Sequence, residues 1–383
     1  MQGPARRVDF EREKQLTEFL AWALAVVVVL WLIQILYLRG PDLRAFDGPI
    51  GQRRSINAPP STEHQAVVAS LGGIASALKS VPRSQHIAWL RKYMENAFPL
   101  GDEGIRITPV DVAGVPAEWV LAPSADPQRR LLYIHGGAFT MGSPRSHRRL
   151  TAKFSEVANA AVLAIDYRLM PEHPRLAGIE DCRTAWRWML DHGPDGVSPA
   201  SAVFVAGDSA GGNLTLSLIA WVRDQGLRAP NAAVALSPAT DVSLGSPSLK
   251  GNIETDPMLG PLFKALAKIP RAVLLWFGWF QNRMRPSHPV ISPVFGDLSG
   301  LPPLLVQASE AEMLIDDSRR YVNKASAAGS PVTLQTWPHM VHVWQLFHPE
   351  LPEGREAFEE IGRFLRESSQ GRCAGGPRDA AIS

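Results

Sequence analysis

The sequence predicts an α/β protein with a mainly parallel central sheet, helices on both of its faces and one N-terminal transmembrane helix. Three observations lead there. Short apolar runs alternate with helical stretches between residues 119 and 337, which is the pattern of strands buried on both faces. One run, Val203-Phe204-Val205-Ala206, climbs into Gly207-Asp208-Ser209-Ala210-Gly211-Gly212, and a helical pattern over 213–219 follows at once. A strand therefore turns sharply into a helix around a serine. Residues 19–38 are apolar apart from Gln34, and about 20 residues match the thickness of a hydrocarbon core.

Taken in order, residues 1–18 are polar and 19–38 form the expected anchor, with Trp22, Trp31 and Tyr37 towards its ends, where amphipathic rings favour the interface. A cleaved signal peptide is disfavoured because Arg39-Gly40-Pro41-Asp42 lacks an Ala-x-Ala-like site. A buried helix is disfavoured because the stretch is apolar all round. Arg6, Arg7, Arg12 and Lys14 precede it and Arg39, Arg44, Arg53 and Arg54 follow it, so the positive-inside rule gives no orientation. Residues 39–60 read as a linker, broken by Pro41, Gly48, Pro49, Gly51, Pro59 and Pro60.

From 61 to 98 the apolar spacing is helical, through Val67, Val68, Leu71, Ile74 and Leu78, then Ile87, Leu90 and Met94. Strands are expected at 119–121, 131–135, 161–166, 202–206, 232–236, 304–306 and 332–337. Helices are expected at 177–191 and 316–328, the latter closed by Gly329. The apolar stretch 272–280 is too short to cross a bilayer; it reads as core or as a helix beside an acyl pocket that also touches the membrane surface. Residues 369–383, rich in Gly, Arg and small side chains, read as a disordered tail.

Composition narrows the function. With 39 basic and 37 acidic side chains the formal charge is +2, so nothing points to nucleic acid. Without the anchor and tails about 300 residues remain, enough for one large core. Cys182 lies in an apparent helix with Trp186, Trp188 and Met189, and Cys373 in the tail. They read as a buried thiol and a free one rather than a disulfide, which leaves the compartment open. There is no internal repeat and no cluster with metal-ligand spacing, so neither a metal nor a cofactor is expected.

The chemistry concentrates at two turns. Ser209 on so tight a strand–helix turn presents its Oγ clear of the sheet at a helix N-terminus, where negative charge is favoured. The strand 131–134 ends in His135-Gly136-Gly137-Ala138-Phe139. Consecutive glycines there let backbone N–H groups converge on one point, and the expected oxyanion donors are those of Gly136, Gly137 and Ala210. His135 reads as an orienting loop residue rather than a base, and Asp208 as a support beside the nucleophile. Asp166-Tyr167-Arg168 and Pro171-Glu172-His173-Pro174 follow another strand and read as structural bracing by paired charges.

With these motifs in hand, the chain from about 85 to 368 resembles the hormone-sensitive-lipase-like branch of the α/β-hydrolases, which includes arylacetamide deacetylases and many microbial esterases. The resemblance rests on His135-Gly136-Gly137-Ala138-Phe139, on 166–174 and on Gly207-Asp208-Ser209-Ala210-Gly211-Gly212. It implies a catalytic domain over 61–368 with cap parts at about 61–100 and 243–290, supported by Asp241 and Asp256. The family's acid-x-Leu-x-Asp pattern falls on Glu312-Met313-Leu314-Ile315-Asp316. That assigns Glu312 as the acid, where aspartate is commoner; Glu310 and Asp316 are the alternatives. The family base, directly before an apolar-aromatic pair, falls on His342 in Pro338-His339-Met340-Val341-His342-Val343-Trp344, with His339 where glycine is usual.

The resemblance thus implies a cofactor-free serine esterase for a small hydrophobic ester or lipid. Amide deacetylation, neutral-lipid hydrolysis and a non-catalytic binding protein are the alternatives. The membrane-anchored deacetylases it resembles place the catalytic domain across the membrane from the N-terminus, which implies an exoplasmic or periplasmic domain.

Overall fold

The protein is described by a computed structural model over residues 4–48, 52–55, 59–101 and 104–369. Cys373 and all of the expected tail but Ser369 lie outside the described residues. Helix α1, Pro4–Ile33, runs on into a π-helical turn, Gln34–Leu38. Its apolar part, with mean hydropathy 2.7, is buried against nothing.

The main sheet has the order β1-β11-β10-β9-β8-β4-β5-β3-β2. Its strands are β1 (Gln52–Ser55), β2 (Arg106–Val112), β3 (Val115–Leu121), β4 (Arg129–Ile134), β5 (Ala161–Ile165), β8 (Ala202–Asp208), β9 (Ala232–Leu236), β10 (Leu304–Ser309) and β11 (Val332–Trp337). A separate two-strand hairpin is formed by β6 (His192–Gly193) and β7 (Gly196–Val197). All pairings in the main sheet are parallel except β2–β3 and β3–β5. From β4 the chain moves to β5 on one side, and β8 returns to β4's other side, with Ile134 opposite Gly207. The order therefore reverses between β4 and β8, and a crevice opens at the carboxyl ends of strands at such a switch point.

Helices α4 (Arg148–Ala158) and α11 (Pro352–Ser369) cover one face, packing Phe154, Phe358, Ile361 and Leu365 against Leu131, Tyr133 and Phe204. Helices α5 (Arg175–Asp191), α6 (Ser209–Asp224) and α10 (Ile315–Ala327) cover the other, with Trp186, Leu216, Ile219 and Tyr321 against Leu132, Val205 and Val306. Each buried Leu or Phe contributes about 1.5–3 kcal/mol of transfer free energy. Cys182 is buried in α5, and burial pushes its thiol pKa up.

Two strands of the main sheet escape the sequence pattern, as does the short β6–β7 hairpin. β2 carries Pro109 and an exposed, polar-rich face, which an edge strand tolerates and a central strand does not. β1 lies inside the expected linker and pairs parallel with β11. The expected linker is docked elsewhere too: Asp47 pairs with Arg320 at 2.6 Å, and Asn323 donates to the carbonyls of Phe46 and Gly48.

The helical segments off the sheet frame its carboxyl edge. In α2 (Thr62–Lys79), Leu71 packs on Trp337, Met340 and Val341. In α3 (His86–Ala97), Arg91 donates to the carbonyls of Thr140 and Met170 and pairs with Glu172. The second segment holds α7 (Ser248–Gly251), α8 (Leu259–Phe263) and α9 (Arg271–Asn282). It is tied to the loop after β10 by Asn252, which donates to the Glu310 and Glu312 carbonyls, and by Asp256, which accepts from Met313 N.

Candidate active site

Ser209 ends the β8 turn with φ +51°, a left-handed conformation that L residues rarely adopt and that cores hold only under constraint. The constraint is visible in the neighbouring glycine: a Cβ on Gly211 would lie 1.9 Å from the Ile134 carbonyl oxygen. The turn can form only without a side chain there, and it sets the half-buried Ser209 at the start of α6.

His342, in the loop after β11, places Nε2 2.9 Å from Ser209 Oγ. Its Nδ1 lies 2.7 Å from Glu312 Oε2, and Glu312 Oε1 accepts from Ser309 N at 2.9 Å. Glu312 is fully buried, and burial raises its pKa against the opposing pull of His342. At His342 burial pulls the pKa down, but the hydrogen bond and charge of Glu312 outweigh it and the net shift is upward. The carboxylate thus fixes the imidazole tautomer, with Nδ1 as donor and Nε2 as acceptor towards the serine.

The alternative acids are engaged elsewhere. Glu310 pairs with Arg319, which also binds Asp316 at 2.8 Å, and Asp316 accepts from Ser248 N. His339 is exposed beside His64 of α2.

Asp208 is buried and orders the turn opposite. Its Oδ1 accepts from Tyr133 OH at 2.7 Å and from Gly136 N at 3.0 Å, and Oδ2 lies 3.5 Å from His147 Nε2. Burial would raise its pKa, but His147 and the Tyr133 hydroxyl hold it below the usual carboxylate value. Because the Gly136 N–H is engaged by Asp208, it is not free for an oxyanion, which corrects the expected donor set. The N–H groups of Gly137 and Ala138 meet no acceptor among the described residues, and that of Ala210 belongs to the uncapped first turn of α6. Gly137 and Ala138 both have positive φ, +114° and +52°, which swings successive N–H groups to one side.

His135 is a buried support: it stacks on Tyr167 at 4.3 Å, its Nδ1 bonds to the Gly136 carbonyl, and burial lowers its pKa to about 3, so it is neutral. Tyr167 OH in turn donates to the His135 carbonyl at 2.9 Å. Arg168 binds Asp181 of α5 and Glu172 binds Arg91, the bracing expected of 166–174. Tyr133, His147 and Arg91 were not singled out by sequence reasoning. Tyr133 looks like any core aromatic of a strand, and nothing in the sequence marks His147 or Arg91 as partners of residues this distant.

Among the described residues no group of His, Cys, Asp and Glu could hold a metal. The arrangement joins an activated hydroxyl, an oriented base and convergent N–H donors, which is the equipment for acyl transfer.

Comparison with known proteins agrees. Residues 131–346 match a family described as having the alpha/beta hydrolase fold. An acetyl-hydrolase of Streptomyces hygroscopicus is 41% identical over 260 residues, covering 68% of this chain and 82% of that protein. The structure resembles that of an esterase from the bacterial hormone-sensitive lipase family at TM-score 0.69 and 36% identity, covering 82% of this chain and 100% of the other. It also resembles EstE5 soaked with p-nitrophenyl butyrate at TM-score 0.69 and 39% identity, covering 81% and 99%. The chain belongs to the α/β-hydrolases, in their hormone-sensitive-lipase-like branch.

Proposed function

We propose that this carboxylic ester hydrolase is a membrane-anchored serine esterase that cleaves hydrophobic short- to medium-chain acyl esters through an acyl-enzyme. The observation that carries this reading is the continuous hydrogen-bonded chain Ser209–His342–Glu312, at 2.9 and 2.7 Å. His342 Nε2 takes the Ser209 proton as Oγ attacks the ester carbonyl, and Glu312 stabilises the imidazolium that forms. Gly137, Ala138 and Ala210 donate to the tetrahedral oxyanion, each worth about 3 kcal/mol in the transition state. His342 then protonates the leaving alcohol, the carbon–oxygen bond breaks, and a water repeats the sequence to release the acid and restore the serine. The acetyl-hydrolase and the butyrate-ester soak among its relatives support a short acyl group. Helix α1, apolar and unburied, supports single-span anchorage.

The test is hydrolysis of p-nitrophenyl esters from acetate to dodecanoate, beside matching anilides, by the full chain in detergent. We expect turnover that peaks at short to medium acyl length, favours ester over anilide and is abolished in Ser209→Ala. Peak activity on long-chain esters or on anilides would overturn the substrate class.

A further inference from the structure

The apolar stretch that the sequence leaves unplaced forms α9, and its outward side is the wrong one for water. Leu275 points inward and is 1% exposed, and Arg271 fixes the helix start by donating to the carbonyl and hydroxyl of Ser243. On the opposite face Val273, Phe277 and Phe280 are 56%, 61% and 58% exposed. Their spacing of four and three residues puts them on one stripe. Trp276 and Trp279 border it on one side, edge to face at 5.8 Å and half-buried, as amphipathic rings lie at an interface. Just before the helix, Leu262 and Ile269 are exposed as well. A surface helix of a soluble protein carries polar residues on this side, and contiguous apolar exposure marks a surface that is covered in use.

What covers it is indicated by where α1 leaves the sheet domain. Leu38, the last residue of the π-helical turn, is fully buried, and that turn packs against α9. Ser287 Oγ donates to the Tyr37 carbonyl, and the Arg285 guanidinium lies over the Tyr37 ring at 5.6 Å. Gly40 closes the joint: with φ +74°, a Cβ there would sit 2.5 Å from Ser287 Cβ. The exit of α1 is therefore clamped to the segment that follows α9 rather than joined through a free tether. Exposed Lys268 and Arg283, at the two ends of the helix, have no ion pair among the described residues, while Lys264 pairs with Glu254.

We propose that α9 is a second membrane contact, laid flat on the bilayer that α1 crosses, with Val273, Phe277 and Phe280 below the headgroups and Lys268 and Arg283 facing acidic phospholipid. The inference rests on the reading of α1 as an anchor. Apolar burial fixes the helix in the interface, the basic ends add attraction to anionic lipid, and together they hold the catalytic domain in one orientation.

Single cysteines for a nitroxide label test this in the full chain carrying Cys373→Ser, reconstituted at one copy per nanodisc of phosphatidylcholine and phosphatidylglycerol. The variants are Phe277→Cys, Leu32→Cys inside the anchor, and Glu180→Cys as a water-exposed control. At position 277 we expect loss of collisions with a water-soluble nickel chelate and gain of collisions with oxygen, corresponding to a depth of about 5–10 Å. The shielding weakens when phosphatidylglycerol is omitted. A label at 277 as accessible as at 180, with 32 shielded, overturns the proposal and leaves the anchor intact. Exposure at 32 overturns the anchor reading itself. Shielding at 277 that needs two copies per disc makes the face a contact between copies and overturns the bilayer assignment.

Discussion

The Asp208 carboxylate accepts the Gly136 N–H at 3.0 Å, so the residue before Ser209 holds the loop that follows β4. Replacing Asp208 by Ala leaves the Tyr133 hydroxyl and the Gly136 N–H buried without a partner. At about 1–3 kcal/mol for each orphaned group, the expected loss is about 2–6 kcal/mol, read as a lowered urea midpoint. Asp208→Asn keeps an acceptor but loses the charge. It is expected to fold and to lose kcat far more than it raises KM. A kcat equal to wild type would separate Asp208 from the oxyanion loop.

Glu312 accepts from both the imidazole and the Ser309 N–H, so its removal disturbs tautomer and loop together. Glu312→Gln is expected to lower kcat by about 10⁴-fold on short-chain aryl esters. Glu310→Gln weakens a partly exposed pair with Arg319 and is expected to stay within about threefold of wild type, the usual scale of such a pair. The opposite ranking would move the acid to Glu310.

The pH profile follows from the same pair. His342 must be neutral to accept the serine proton, and Glu312 raises its pKa above the free-imidazole value of 6.5. Activity is therefore expected to rise with pH and to reach half its plateau above pH 6.5, measured as kcat/KM under constant ionic strength. In Glu312→Gln burial is the dominant influence left and depresses the imidazole pKa, so the residual activity should reach half-plateau at lower pH. An unchanged profile in that variant would contradict the coupling.

Arg91 ties α3 to the loops after β4 and β5 through two carbonyls and one carboxylate, whereas Glu172 offers that exposed pair. Glu172→Gln should therefore cost less than about 1 kcal/mol and leave KM unchanged. Arg91→Ala frees α3 from Thr140 and Met170 and is expected to raise KM with a smaller change in kcat. Equal effects of the two substitutions in steady-state kinetics would show that the ion pair, not the carbonyl contacts, holds α3.

Most of this was legible in the sequence because the physics there is local. The central strands β5 and β9 read directly, since burial on both faces leaves no polar residue to blur them. Ser209 was legible for the same reason: its turn admits only glycine at 211. The edge strands β1 and β2 were not, because an edge accepts Pro109 and polar residues that a centre rejects. Glu312 and His342 emerged only through resemblance, being 30 residues apart and joined by tertiary packing. The Gly136 assignment erred because glycine signals where a backbone can bend, not which acceptor its N–H meets. Asp208, 72 residues away, decides that.

The central claim is that Ser209 carries the acyl group. Intact-mass analysis after exposure to a fluorophosphonate, with and without a p-nitrophenyl ester as competitor, tests it most directly. The account predicts one adduct per chain, mapped to Ser209, slowed by the ester and absent in Ser209→Ala. A chain that stays unmodified, or an adduct that persists in Ser209→Ala, would contradict it.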